Sequence, residues 1–373
     1  MRKLFVALCV LVLGSCSVES ESIQLLDAAN FETMYDGKQV GLYTLHMGDI
    51  TMQVTNFGAR IVSLWVPDKM GQYDDIVLGY ENIDRYLNNS GERFLGAVVG
   101  RYANRISKGE FTLDDQQYRL STYNNGQCLH GGDKGFDMVV WDVVESSESK
   151  IVFRYVSPHM EEGFPGELTT IMTYSLSVDN ELVIDYKATS DRSTVVNLSH
   201  HSFFNLKGEG AGTITDHELM IKGSAVTPID KNLIPTGEIL LVDNRPFDFR
   251  EPKLIGADIN SDDDQLAYGL GYDHNWIIDK TCDGVELVAT LYEPSSGRFM
   301  EVFSDQVALQ FYSGNFFDGT AKGKYETKHN YRESVALETQ KYPDSPNHLH
   351  FPSTTLNEED IYLHKCIYKF SIR

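Results

Sequence analysis

The sequence predicts an all-β fold, a large antiparallel β-sandwich, from three observations. Residues 50–55 alternate apolar and polar side chains, which is the period of a half-buried strand. Residues 168–177 and 181–187 flank a polar turn at residues 178–180, a pattern typical of a β-hairpin. Helical periodicity is scarce, and residues 81–88 suggest only a short helix. Many strands without intervening helices favour antiparallel sheets packed face to face.

The later part of the chain continues the strand pattern. Residues 284–293, 298–305 and 306–313 predict a meander, and residues 360–372 predict a closing strand. No repeat, low-complexity tract, long linker or shift in composition marks a boundary after the N-terminal segment. We therefore expect a single domain over residues 25–373, because large β folds often form one unit.

The N-terminal segment has the pattern of a secretory signal. Arg2 and Lys3 precede an apolar run at residues 4–13, and small residues follow. The run is too short to cross a bilayer and suits the core of a signal peptide. No later segment is long and apolar enough to span a membrane. The sequence therefore predicts a signal peptide over residues 1–15.

A cysteine follows this segment in a suggestive context. Residues 13–16, Leu-Gly-Ser-Cys, resemble the bacterial lipobox, in which cleavage precedes a cysteine that then carries lipid. Cys16 is the predicted lipidation site, and residues 16–24 would form a lipid-bearing tether. One modified end anchors a protein without making it span the membrane. We expect a lipid-anchored protein of the bacterial cell envelope that faces the periplasm.

The charge balance limits the classes of partner. Cleavage before Cys16 removes two positive charges and no acidic residue, so the net charge changes from −22 to −24. Such a surface repels phosphate backbones, which excludes nucleic acid as a partner. It also disfavours anionic substrates, although a local arginine can override the overall field.

Three cysteines remain beyond the tether: Cys128, Cys282 and Cys366. Their odd number and wide spacing suit neither a disulfide framework nor a Cys-x-x-Cys metal or redox motif. We expect three small buried side chains.

Glu338 is the first candidate for chemistry. Val335, Ala336 and Leu337 precede it and indicate the end of a buried strand. A carboxylate there can act as a base if its pKa, about 4.3 when unperturbed, stays in a useful range. The alternative is a salt-bridged glutamate with a structural role.

His200 and His201 are adjacent in a second candidate segment. In a strand they face opposite ways, so only one can face a given cleft, and periodicity does not decide which. Two hydrogen-bonded structural imidazoles are the alternative. Adjacent histidines also lack the spacing of a helical zinc site.

Three further segments carry candidate binding groups. Asn104 and Arg105 offer an amide and a planar fork of donors suited to hydroxyl groups or a carboxylate. His130 precedes a Gly-Gly pair, where the backbone can approach a ligand closely. Asp273 lies between aromatic residues, a combination suited to holding a sugar. A surface ion pair, a plain turn and a capped turn are the respective structural alternatives.

Taken together, these segments resemble the aldose 1-epimerase (mutarotase) family, and the resemblance extends from about residue 31 to residue 373. Single motifs are weak, whereas their order and spacing are specific. The matching motifs are GRYANRI (100–106), LHGGDKGFD (129–137), NLSHHSFFNL (197–206), YDHN (272–275) and LETQ (337–340), with weaker matches at 56–59 and 310–315.

The resemblance implies a β-supersandwich with an open cleft and assigns roles to residues. Glu338 corresponds to the general base and His201, which precedes Ser-Phe-Phe-Asn-Leu, to the general acid. The implied substrate-binding residues are Arg105, Asn104, His130, Asp273 and Gln310.

The resemblance also implies interconversion of the α and β anomers of free aldoses, without metal or cofactor. The substrate would be a monosaccharide, and the protein a monomer or a weak dimer. Attraction between Glu338 and His201 would raise the pKa of the imidazole. Alternatives are a non-catalytic carbohydrate-binding envelope lipoprotein and a glycosidase that pairs Glu338 with Asp273. A phosphosugar epimerase would need more basic residues around the cleft.

Overall fold

The structure, a computed structural model, describes residues 23–88 and 91–373 and is built almost entirely from antiparallel β-strands. The predicted all-β sandwich is confirmed. The strands are β1 (Thr33–Tyr35), β2 (Lys38–Val40), β3 (Leu42–Met47), β4 (Ile50–Thr55), β5 (Arg60–Pro67), β6 (Tyr73–Asp75), β7 (Ala97–Val99), β8 (Arg105–Ile106), β9 (Glu110–Leu113), β10 (Gln116–Arg119), β11 (Cys128–Leu129), β12 (Asp142–Ser146), β13 (Lys150–Ser157), β14 (Leu168–Leu176), β15 (Glu181–Ser190), β16 (Thr194–Val195), β17 (Ser199–His201), β18 (Phe203–Phe204), β19 (Glu218–Ile221), β20 (Ala225–Thr227), β21 (Leu240–Leu241), β22 (Lys253–Leu254), β23 (Asp273–Ile277), β24 (Glu286–Tyr292), β25 (Arg298–Ser304), β26 (Ala308–Tyr312), β27 (Val335–Gln340), β28 (Thr355–Leu356) and β29 (Tyr362–Ile372).

Helices are few and short. The sequence predicted a helix over residues 81–88, and α1 (Ile83–Leu87) lies there, capped by the Asn82 side chain. α2 (Asp264–Gly269) is the second, and its cap is the Asp263 side chain. No helix in the described part of the chain is long and apolar enough to cross a membrane. Short 3-10 helices occupy Ala28–Phe31, Ser107–Gly109, Phe136–Met138, Glu161–Gly163, Ile255–Ala257 and Ser345–Asn347.

The largest sheet has nine strands in the order β12-β13-β14-β15-β29-β25-β24-β19-β22. The predicted hairpin is its β14–β15 pair, and the predicted closing strand is β29, which lies between β15 and β25. Side chains of β14 alternate between buried and half-buried, as expected for a sheet with one face on the core.

A six-stranded sheet, β18-β27-β26-β23-β20-β21, and a four-stranded sheet, β3-β4-β5-β6, complete the main layers. The predicted meander is wrong in its third member. β24 and β25 pair, but β25 continues to β29, whereas β26 lies in the six-stranded sheet between β23 and β27. Residues 305–307 carry the chain from one sheet to the other, a change that a local turn pattern does not encode.

One hydrophobic core, which includes residues from Leu45 to Phe370, joins the sheets. Residues 50–55 form the predicted strand, but all six are buried, so β4 is covered on both faces rather than half-buried. The expectation of three buried cysteines was wrong for one of them. Cys128 and Cys366 are buried, Cys282 is exposed, and all three are free.

Candidate active site

The six-stranded sheet presents one row of polar side chains from neighbouring strands. Asn275, Gln310 and Glu338 lie directly opposite one another across β23, β26 and β27. The alternate positions, including Phe311 and Leu337, belong to the hydrophobic core. Because side chains alternate along a strand, a core on one face requires Glu338 to project from the other. Glu338 is the fourth of six buried strand residues, not a strand end as the sequence suggested.

His201 reaches Glu338 from a different sheet. It lies on β17, opposite Ala97 of β7, and the Gly96 N–H donates to its carbonyl at 3.0 Å. Its Nε2 lies 3.4 Å from Oε1 of Glu338, and both side chains are more than nine-tenths buried. The imidazole also packs against Phe203, with 4.7 Å between ring centroids. The structure thus brings together two groups that are 137 positions apart in the chain.

His200 projects to the opposite side of β17. Its ring packs edge-on against Tyr174 in the core, with 5.6 Å between centroids, and is 3% exposed. Neither of its ring nitrogens has a hydrogen-bonding partner among the described residues. Burial, and then the neighbouring His201, lower the pKa of His200 to about 3, while the nearby Gly96 carbonyl opposes this. The sequence left the two histidines undecided, and the structure assigns His201 to the cleft.

Replacing His200 with phenylalanine should make the protein more resistant to acid. The unfolded His200 binds a proton below its ordinary pKa of about 6.5, whereas the folded residue stays neutral to about pH 3, so the unfolded state gains stability as pH falls. The free energy of unfolding of the variant minus that of wild type should therefore increase by about 2 kcal/mol when the pH is lowered from 7 to 5. Denaturant titrations at both pH values measure this, and an unchanged difference would contradict it.

Asn104, Arg105 and His130 form a second group beside the pair. Arg105 and Leu129 are partners of the short β8–β11 ladder, and His130 follows it. The backbone N–H of Asn104 donates to Nδ1 of His130 at 3.1 Å, and the Asn104 Oδ1 accepts the Arg105 N–H at 2.9 Å. A neutral imidazole that accepts at Nδ1 carries its proton on Nε2. His130 therefore offers an N–H donor to a ligand.

The Gly-Gly pair after His130 has a structural function rather than a ligand-contacting one. A Cβ on Gly131 would lie 1.8 Å from the Gly100 carbonyl oxygen, and one on Gly132 would lie 2.2 Å from a Glu162 carboxylate oxygen. Both glycines have positive φ angles, 96° and 110°. Gly131 allows the His130 loop to pack against the chain around Gly100, and Gly132 allows it to pack against Glu162.

Asp273 is held by Gln310. The Gln310 Nε2 donates to Oδ1 of Asp273 at 2.7 Å. Burial raises the pKa of Asp273, and Arg105 together with the Gln310 hydrogen bond opposes this. Asp273 lines both the main cleft and a narrow adjoining recess, whereas Gln310 lines only the recess. Gln310 thus holds Asp273 through this hydrogen bond and is not part of the main cleft lining.

A cleft of about 560 Å³ collects the other predicted residues. Its lining includes the catalytic candidates and the binding candidates Asn104, Arg105, His130 and Asp273. All six of these side chains are buried, and more exposed residues surround them at the mouth. A concave site with a few convergent polar groups is typical of a small-molecule site.

Comparison with known proteins identifies the family of this chain. A model of the family described as aldose 1-epimerase matches residues 41–369. The chain belongs to the aldose 1-epimerase family. It is 41% identical to the galactose mutarotase of Bos taurus over 330 residues, which cover 88% of this chain and 94% of that protein. It is 34% identical to the aldose 1-epimerase of Escherichia coli K12, with 85% and 90% coverage.

Solved structures of the family share the fold. An aldose epimerase homologue from C. elegans superposes with a TM-score of 0.83 at 28% identity, covering 89% of this chain and 99% of that one. The galactose 1-epimerase of Lactobacillus acidophilus NCFM superposes with a TM-score of 0.80 at 26% identity, with 91% and 97% coverage. The resemblance inferred from sequence motifs is confirmed.

Burial determines the protonation of the Glu338–His201 pair in this epimerase-family site. Burial first, and then the neighbouring Asp273, raise the pKa of Glu338 well above its usual range, with Arg105 in opposition. Burial lowers the pKa of His201 to about 3. The expectation that attraction to Glu338 would raise the histidine pKa was wrong, because loss of solvation outweighs it. If the pair shares one proton, these pKa directions favour Glu338 over His201 as its site.

Three side chains here have the donor types of a metal site. Each of His130, His201 and Glu338 offers one possible metal-ligand atom, and these three atoms lie within 4.8 Å of one another. The hydrogen bond from Asn104 works against ligation by His130, because it leaves the proton on Nε2 and a ligating nitrogen must be unprotonated. The donor set therefore suits hydrogen bonding to a polar ligand better than metal binding.

Residues 92–94 also line the cleft, and the sequence analysis missed them. Arg93 makes a two-bond ion pair with Asp137, at 2.7 and 2.9 Å, and its guanidinium lies 5.0 Å from the centre of the Phe94 ring. Phe94 in turn packs against His130 and His201. The Asp at the end of the LHGGDKGFD motif was the available signal for a buried cation partner.

Proposed function

We propose that the protein interconverts the α and β anomers of free aldoses, with Glu338 as general base and His201 as general acid. The observation that carries this assignment is their 3.4 Å contact in a buried cleft. In an aldopyranose the C1 hydroxyl oxygen and the ring oxygen are bonded to the same carbon. Two proton-transfer groups that lie side by side suit two oxygens that also lie side by side.

The proposed reaction opens and recloses the ring. Glu338 takes the proton of the C1 hydroxyl, and His201 donates a proton to the ring oxygen as the C1–O5 bond breaks. Rotation about C1–C2 then exposes the other face of the aldehyde, and both transfers reverse as the ring closes. The sugar gains no net proton or electron, so the reaction consumes no cofactor.

This order of proton transfers requires Glu338 ionised and His201 protonated, whereas burial favours Glu338 over His201 as the site of a shared proton. We propose that sugar hydroxyl groups donate hydrogen bonds to the Glu338 carboxylate and thereby favour transfer of this proton to His201. Arg105, which already opposes the raised pKa of Glu338, acts in the same direction.

The remaining polar groups are proposed to orient the sugar. His130 offers its Nε2–H donor, Arg105 offers guanidinium donors, and Asp273 offers acceptor oxygens fixed by Gln310. Asn104 would contribute its side-chain amide and also fixes the His130 tautomer. Together they would hold C1 against the Glu338–His201 pair.

The pH dependence of kcat/KM follows from the single shared proton. At low pH a second proton converts the pair to a form without a base, and the lowered pKa of His201, about 3, moves this loss below the ordinary histidine range. At high pH the last proton leaves, and the raised pKa of Glu338 moves that loss above the ordinary glutamate range. We expect the acid limb of kcat/KM to lie well below pH 6.5. An acid limb centred near pH 6.5 would contradict it.

Polarimetry tests the activity itself. Freshly dissolved α-D-glucose and α-D-galactose should approach their equilibrium rotations faster with catalytic amounts of protein than in buffer alone. Retained sugar binding without acceleration of any aldose would instead support the alternative, a carbohydrate-binding protein without activity.

We also propose that the protein is a lipid-anchored component of the bacterial cell envelope. Residues 1–22, which include the predicted signal peptide and Cys16, lie outside the described residues. The proposal rests on the charged, apolar and small-residue order that ends at Cys16. In a bacterial host, radiolabelled palmitate should label the full-length protein. Cys16→Ser should abolish labelling and Cys9→Ser should not, whereas labelling of Cys16→Ser would refute the assignment.

A further inference from the structure

The Glu338–His201 pair lies where the pairing of two neighbouring chain segments is interrupted. β18 pairs with β27, with Phe203 opposite Ala336. Continuing this register by two residues would place His201 directly opposite Glu338. The strand that carries His201, β17, pairs with β7 instead. The 3.4 Å contact between the two catalytic side chains therefore does not follow from a backbone ladder between their own strands.

Side chains restore the connection between the two segments on the other side of this pair. The Ser199 hydroxyl donates to the carbonyl of Thr339 at 2.9 Å. The Asn197 Oδ1 accepts the N–H of Lys341 at 2.9 Å, and its Nδ2 donates to the carbonyl of the same residue at 3.3 Å. These side chains bind backbone groups that strand pairing would otherwise use. The pair thus lies between a backbone ladder at one end and side-chain hydrogen bonds at the other.

Ser199 is the member of this connection that lies nearest to the catalytic groups in the chain. It comes two positions before His201, so both side chains project from the same face of β17. It is fully buried, and its acceptor Thr339 directly follows Glu338. Loss of this one hydrogen bond would therefore loosen both segments at positions next to the catalytic side chains.

β29 of the nine-stranded sheet supports both segments on the side away from the cleft. Nε2 of His364 lies 2.9 Å from the hydroxyl oxygen of Thr339. The Tyr362 hydroxyl accepts the N–H of Leu198 at 3.1 Å. All four of these residues are buried. Because hydrogen bonds hold both the hydroxyl and the carbonyl of Thr339, the backbone after Glu338 is fixed by β17 and by β29.

We propose that Ser199 is a positioning residue, whose hydrogen bond to Thr339 takes the place of strand pairing and sets the separation of His201 from Glu338. The inference rests on the proposed function, because this separation matters for proton transfer to and from the sugar. The groups proposed to orient the sugar lie on or beside β8, β11 and β23. Loss of the Ser199 hydroxyl should therefore slow proton transfer without weakening sugar binding.

Ser199→Ala tests the inference by polarimetry with freshly dissolved α-D-glucose. We expect kcat to fall by about tenfold and KM to stay within about twofold of wild type, because displacing reacting groups by about 1 Å can cost about 10²-fold in rate. Ser199→Thr keeps the hydroxyl and should retain most of the wild-type kcat. Unchanged kcat in Ser199→Ala, or an equal loss in Ser199→Thr, would overturn the positioning role and leave the proposed function intact. Absence of acceleration by the wild-type protein would overturn both.

Ser304→Ala is the matched control. Ser304 is also fully buried and its hydroxyl donates to the carbonyl of Lys365 at 2.9 Å, but it lies on β25, outside the cleft lining. This variant should lower the melting temperature about as much as Ser199→Ala does and leave kcat unchanged. In a His201→Gln background, Ser199→Ala should cause no further loss, because the group that it positions is gone. An equal fold loss in both backgrounds would mean a general disturbance of the site and would refute the inference.

Discussion

Glu338→Gln should lower kcat for glucose anomerisation by about 10²–10⁴-fold, which is the usual contribution of a positioned general base. Glutamine keeps the size of the side chain but cannot accept the C1 proton. It also removes the ionisable partner of His201, whose Nε2 lies 3.4 Å from the carboxylate. Polarimetry with freshly dissolved α-D-glucose measures the loss.

Glu301→Gln is the matched control for this substitution. Glu301 lies on β25, opposite Lys369 of β29 and outside the cleft lining, so its replacement should leave kcat unchanged. The melting temperature of Glu338→Gln should stay close to that of wild type or rise, because the variant no longer buries an ionisable group. Undiminished kcat in folded Glu338→Gln would remove Glu338 from the mechanism.

His201→Gln should produce a second loss of about 10²–10⁴-fold in kcat, because the ring oxygen then has no acid beside it. The loss should not add to that of Glu338→Gln, since both residues act in the same proton exchange. A double variant that is only slightly slower than either single variant would show this coupling, and a product of the two losses would argue against it.

His200→Phe separates the two adjacent histidines. Its kcat should equal that of wild type, since the His200 ring packs on Tyr174 in the core and does not line the cleft. Loss of activity in a stable His200→Phe protein would mean that the β17 backbone requires this ring to hold His201 in place. The same variant therefore reports on acid stability and on the assignment of His201.

The sequence was sufficient for features that rest on local chemistry. A polar turn between alternating segments predicted the β14–β15 hairpin, and the order of five motifs predicted the family and the residues of the cleft. The sequence was insufficient where contacts between residues far apart in the chain determine the structure. Tyr174 covers His200 although the two residues are 26 positions apart, and the residues around His200 in the chain give no sign of this contact.

The electrostatics of the pair could not be predicted for the same reason. The sequence showed opposite charges that would attract, but the pKa directions depend on how completely the surrounding sheets exclude water from Glu338 and His201. The role of Gln310 could not be predicted either, because its hydrogen bond to Asp273 depends on the pairing of β23 with β26. Sheet register, rather than residue type, separates a supporting side chain from one at the cleft surface.

The catalytic carboxylate lies on a strand whose neighbouring residues are core, whereas exposed residues of the cleft lining, such as Lys231 and Phe316, lie on connections between strands. Changes to Leu337 or Phe311 would disturb the core and the reaction together, but changes to these exposed side chains should alter neither. Substitutions at the entrance of the cleft can therefore accumulate, among relatives and in laboratory evolution of this chain, without affecting the catalytic residues. New sugar preferences should arise by exchange of loops, with the reaction itself inherited unchanged.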